Sequence, residues 1–131
     1  MSKSLYQYRF NPEQAPLLEQ ALINAILSEK YVNKGTPCTY TYGSGWFTAK
    51  RRIEYKITQG ILHICIWRVV APIVPMLEMG CSDLNSFYGC ALNGSMKSTI
   101  DRIAYKVHNA CGLSVMTNCQ TVDDNFLSRI Q

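Results

Sequence analysis

Two spacings of hydrophobic positions alternate along the chain. Leu5 to Phe10 is rich in aromatic residues and is bounded by the turn formers Asn11 and Pro12, which predicts a short first strand. Leu17, Leu18, Ala21, Leu22, Ala25 and Ile26 then recur at three and four, the period of an amphipathic helix running to about Lys30. Asn11 is placed to cap it, Pro12 falls where its missing N–H costs nothing, and Gln14 completes a capping box. Gly35 and Pro37 stop any continuation. Cys38 to Tyr42 switches to a period of two, with Cys38, Tyr40 and Tyr42 on one side and Thr39 and Thr41 on the other, a second strand. Gly43-Ser44-Gly45 interrupts it before Trp46-Phe47 and reads as a turn or bulge, since it lacks the further glycine and the lysine of a phosphate-binding loop.

The strongest pattern is a pair of segments, Lys50 to Thr58 and Ile61 to Val70, separated by Gln59-Gly60 at hairpin length. With those two residues as the loop, Thr58 faces Ile61, Tyr55 faces Ile64, Ile53 faces Ile66 and Arg52 faces Trp67. One face is then Ile53, Tyr55, Ile57, Leu62, Ile64 and Ile66, a core face. The other carries Lys50, Arg52, Glu54, Lys56, His63, Cys65, Trp67 and Val69, a basic and aromatic surface.

Prolines, glycines and scattered Ser, Asp and Asn make residues 71–90 an irregular connection, with a short strand at Met76 to Met79. A second helix is expected after Asn93-Gly94-Ser95, with Met96, Ile100, Ile103, Ala104, Val107 and Cys111 on one side and Lys97, Asp101, Arg102 and Lys106 opposite. Gly112 ends it. Val122, Phe126 and Ile130 recur every four residues, which suits either a short docking helix or a frayed tail. The expected fold is α+β: an antiparallel sheet of four to five strands with an N-terminal and a C-terminal helix on one face, in the order β-α-β-β-β-(β)-α. Residues 1–111 form a single domain in this reading, and 112–131 a C-terminal extension.

At 131 residues, 47% hydrophobic and 17% charged, the chain suits one domain that buries roughly two-thirds of its unfolded surface, and not a fibrous repeat or a disordered tail. The net charge of +4 is unevenly spread. From Lys30 to Arg68 seven basic residues meet one acid, Glu54, for a local +6, while the remainder sums to −2. The N-terminal residues show no apolar secretory stretch, so a cytoplasmic location is expected. The apolar run from Ile61 to Leu77 is broken by His63, Arg68, Pro72 and Pro75 and falls short of the ~20 residues of a membrane span, so no membrane insertion is expected. Six cysteines without any CxxC read as small apolar residues in a reducing compartment rather than as a disulfide framework or zinc ribbon.

Four short motifs carry a family resemblance: Trp46-Phe47-Thr48-Ala49 leading into the hairpin, Ile64-Cys65-Ile66-Trp67 within it, Glu78-Met79-Gly80 after it, and Gly89 before the second helix. Over roughly Tyr6 to Ala110 the chain resembles a small uncharacterised α+β domain of Gram-positive bacterial proteins, which in some of them adjoins zinc-ribbon or membrane-spanning segments. The resemblance implies a domain that works beside other modules, and it assigns no catalytic residue.

The candidate chemistry is sparse. His63 and Cys65 project from the same strand face, as a thiol enzyme would need, but their stems lie roughly 6.5 to 7 Å apart. The cysteines, His63 and His108 have ligand types for a metal without metal-site spacing. No G-x-S-x-G, no H-E-x-x-H and no well-placed carboxylate pair is present, so no catalytic set and no cofactor is expected. The most concrete site is the basic-aromatic face, where Lys50, Arg52 and Lys56 would meet phosphates and His63 and Trp67 would stack on bases or sugars. A competing reading pairs Arg52 with Trp67 as a cation–π contact and leaves the other charges as solvated surface. The sequence therefore points to a binding or interaction module, its partner an unidentified protein or a second copy of itself, with nucleic acid or another polyanion as the alternative and a thiol enzyme third.

Overall fold

The Gln59-Gly60 turn sets the centre of the fold. In the computed structural model, which describes residues 3–43, 50–69 and 89–130 and only the backbone of 89–95 and 118, strands β4 (Lys50–Thr58) and β5 (Ile61–Val69) pair with Thr58 opposite Ile61 and Arg52 opposite Trp67. That is the register expected from the hairpin pattern. Gly60 sits at φ +75°, a left-handed conformation that glycine adopts without strain, and its carbonyl accepts from the Phe10 amide at 3.0 Å. The turn is thereby tied to the end of the first strand.

Strand β1 (Lys3–Arg9) runs antiparallel to β5, and β3 (Thr39–Tyr42) antiparallel to β4. Two further strands make the sheet larger than the four to five expected: the two-residue β2 (Val32–Asn33) beside β3, and the nine-residue β6 (Ser114–Val122) beside β1. The order is β2-β3-β4-β5-β1-β6, antiparallel throughout. Helix α1 (Ala15–Ser28) follows a 3-10 turn at Pro12–Gln14. Asn11 caps that turn by accepting from the Glu13 amide at 3.1 Å, instead of closing a capping box with Gln14. Helix α2 (Gly89–Cys111) starts earlier than Ser95, and Gly112 at φ +77° ends it as expected.

Both helices pack on one face of the sheet. Leu18, Leu22 and Ile26 from α1 and Ile100, Ile103 and Val107 from α2 are fully buried against Tyr8, Ile53, Leu62, Ile64 and Ile66. Each such side chain contributes roughly 1.5 to 3 kcal/mol of burial. At the end of α1 a carboxylate, Glu29, faces the negative pole of its own helix, an unfavourable placement that Arg102 of α2 offsets with contacts of 2.7 and 3.0 Å. Arg102 foremost, with Lys106 adding, holds the Glu29 carboxyl below its ordinary pKa.

The C-terminal stretch departs most from expectation. Residues 114–122 are a sheet strand, so Val122 belongs to β6 and not to a helix, and only Phe126–Arg129 forms a helical turn, α3. That turn lies on the opposite face of the sheet from α1 and α2, where Leu127 packs with Leu5, Cys65 and Trp67. The strand expected at 76–79 and the Ser44-Gly45-Trp46-Phe47 segment lie outside the described residues.

Candidate anion-binding surface

The face of the sheet turned away from α1 and α2 is divided in two. Over β5, β1 and β6 it is covered. Leu127 reaches down to Cys65 and Trp67, with Val69, Val122, Phe126 and Ile130 at the margin. Two lysines hold the cover in place. The Lys56 ammonium donates to the Leu127 carbonyl at 3.1 Å and also to the Ile130 carbonyl, satisfying backbone acceptors that a one-turn helix leaves unpaired. The Lys3 ammonium donates to the Asp124 carbonyl at 3.1 Å, pairs with Glu54 at 2.6 Å and sits 4.0 Å above the Trp67 ring. The cation over that ring is thus Lys3, whereas the cross-strand pairing had pointed to Arg52.

Three of the five candidate residues belong to this covered half. Trp67 is 8% exposed and His63 3%, so neither presents a ring on which a base could stack, and Lys56 is committed to the carbonyls of α3. His63 lies in a chain of hydrogen bonds. The Thr117 hydroxyl donates to Gln7 Oε1 at 2.9 Å, Gln7 Nε2 donates to His63 Nδ1 at 3.0 Å, and His63 Nε2 meets Thr58 Oγ1 at 3.0 Å. Because an amide nitrogen only donates, Nδ1 accepts and the proton resides on Nε2, the neutral tautomer. Burial, reinforced by the nearby Lys56 charge, lowers the His63 pKa.

The same burial disposes of the thiol. Cys65 is 0% exposed, and its pKa is pushed up to about 12, chiefly by burial, with Glu54 raising it further and Lys3 opposing. A thiol in that state is a packing group, because the thiolate is the nucleophile. Both ring nitrogens of His63 are engaged by Gln7 and Thr58. The same-face spacing of His63 and Cys65 therefore produces two core neighbours and no activated pair.

Over β2, β3 and β4 the face is basic and is left open by the described residues. Lys50 and Arg52 project from β4 toward Thr39 and Thr41 of β3, and Lys34 and Thr36 come from the β2–β3 turn; together they line a cleft of about 310 Å³. Asn33 builds that turn, accepting from the Gly35 amide at 2.8 Å and donating to the carbonyls of Thr36 and Thr39 at 2.9 and 3.2 Å. Among the described residues, three cations and three hydroxyls line this cleft and no carboxylate does. Glu54, the acid of β4, lies toward the covered half and is paired with Lys3. Such a surface offers charge and hydrogen-bond donors to phosphate or sulfate oxygens.

Lys50 and Arg52 were legible as candidates from the hairpin register. Lys34 is marked in the sequence only as part of the basic region, and the alternation in β3 marks its tyrosines more strongly than its threonines. The period-two placement of Thr39 and Thr41 was the signal for them. Among the described residues no three His, Cys, Asp or Glu side chains come together as a metal-binding group, and no helix is long and apolar enough to cross a membrane. Among the residues whose side chains are described, Cys38, Cys65, Cys111 and Cys119 are free thiols. No family model, no curated protein and no solved structure matches the chain.

Proposed function

We propose that the protein is a binding module that holds the phosphate backbone of a nucleic acid along the open half of the sheet, without reading base sequence. The observation that carries this reading is the cleft between Lys34, Lys50 and Arg52, lined among the described residues by three cations and no carboxylate. Backbone contact is favoured over base stacking because Trp67 and His63 are both buried. The resemblance to a domain that accompanies other modules agrees with a binding role.

Electrostatic binding of this kind follows counterion release. With three phosphates neutralised, affinity for duplex DNA should fall about 40-fold between roughly 50 and 200 mM salt. Fluorescence anisotropy of a labelled duplex and a labelled single strand tests this. The expected result is that steep salt dependence, together with loss of most of the affinity in a Lys34→Ala, Lys50→Ala, Arg52→Ala variant that unfolds at the wild-type temperature. Salt-independent binding, or undiminished affinity in the triple variant, would overturn the reading.

A further inference from the structure

The helix side of the same sheet edge holds a second cleft, of about 210 Å³, between the end of α1 and strands β3 and β4. Lys30, Tyr31, Tyr42, Arg51 and Arg102 are among its lining residues. Arg51 and Arg52 are neighbours on β4 and so project to opposite faces, which separates this cleft from the open basic one.

Tyr31 is the unusual member. It is 2% exposed, and its hydroxyl has no hydrogen-bond partner among the described residues. A buried O–H left unpaired bears its full desolvation cost, so such groups are found where something else completes them. Tyr31 and Arg51 both line the cleft. The Arg51 guanidinium is near enough to the hydroxyl to oppose the rise that burial gives the Tyr31 pKa, which puts the hydroxyl beside that lining cation.

The surroundings suit an anion. The Arg51 guanidinium lies over the Tyr42 ring, 5.8 Å from its centroid, and that ring packs on Tyr31 with centroids 5.3 Å apart. Stacking of this kind pre-orients the guanidinium. Lys30 adopts φ +69° just past α1, a left-handed conformation that costs a lysine strain, and its place there brings a second cation to the rim. The single carboxylate among the described lining residues, Glu29, is already held by Arg102 at 2.7 Å, with Lys106 at 3.7 Å.

We propose that this cleft is a site for a single phosphate group, with the Tyr31 hydroxyl donating to one of its oxygens and Arg51 and Lys30 balancing its charge. The site does not depend on the polyanion reading, and a phosphate group is small enough for it. Two sources supply that chemistry, free phosphate and the phosphate of a mononucleotide whose base would lie against Tyr42.

Calorimetric titration at constant ionic strength, with inorganic phosphate and with adenosine monophosphate as probes, tests the assignment. Tyr31→Phe should weaken phosphate binding about tenfold or more, as expected for a hydrogen bond to a charged group. The same variant should unfold at the wild-type temperature or above, since it removes an unpaired buried hydroxyl. Arg51→Gln should also weaken binding, and Arg52→Ala, on the other face, should leave it unchanged. Tighter binding of the nucleotide than of phosphate would identify the nucleotide as the source, and equal binding the free ion; both support the site if they depend on Tyr31. Equal phosphate affinity in wild type and Tyr31→Phe, or a Tyr31→Phe protein that unfolds at lower temperature, would overturn it.

Discussion

His63 shows how far a single residue departs from its reading in isolation. Two positions from Cys65 on one strand face, it invites a catalytic interpretation, yet Gln7 and Thr58 occupy both ring nitrogens and burial favours the neutral form. The consequence is a definite pH dependence. Above the ordinary histidine pKa of about 6.5 both folded and unfolded states are neutral at this position and the stability is full. As pH falls below that value the unfolded chain takes up the proton first, so stability declines until the lowered pKa of folded His63 is reached. Chemical denaturation between about pH 5 and 8 should show this decline in the wild type and a flatter profile in His63→Gln; parallel profiles would mean that His63 is not held neutral. The spacing of His63 and Cys65 was readable from the strand period. Their burial was not, because it depends on residues far away in the chain, Gln7 against His63 and Leu127 beside Cys65.

At the scale of elements, patterns with strong periodicity were legible and weak ones were not. The β4–β5 hairpin, with its register and its core face, followed from alternation on either side of a two-residue turn. The apolar stripes of α1 and α2 likewise placed both helices on the core side. Strand β6 escaped because Ser114–Val122 is mostly polar, pairs only with β1 among the described residues, and shifts register between Leu5 and Tyr8, so no clean alternation survives. The four-residue recurrence of Val122, Phe126 and Ile130 suggested a helix, but it arises from a strand end and a one-turn helix that share one apolar surface. Docking of α3 can be tested through its central contact. Leu127→Ala should lower stability by about 2 kcal/mol, the low end for truncating a buried leucine, and should speed labelling of Cys65 by a thiol reagent. An unchanged stability with Cys65 still protected would show that α3 does not cover this face.

For the whole molecule, the uneven charge along the chain becomes an uneven charge in space. The basic stretch from Lys30 to Arg68 folds into β2, β3, β4 and β5, and six of its seven lysines and arginines take three separate tasks. Lys56 fastens α3, Lys34, Lys50 and Arg52 line the open cleft, and Lys30 and Arg51 line the cleft on the helix side. The candidate face was therefore legible as a charge pattern, while its division into a covered and an open half required the tertiary fold. The most direct test of that division is a backbone-amide NMR titration of the isotopically labelled protein with a short DNA duplex at low salt. Shifts should concentrate at Lys34, Thr39, Thr41, Lys50 and Arg52, with His63, Cys65, Trp67 and Leu127 unmoved. Shifts centred on His63 and Trp67, or none at any residue of the open cleft, would contradict it.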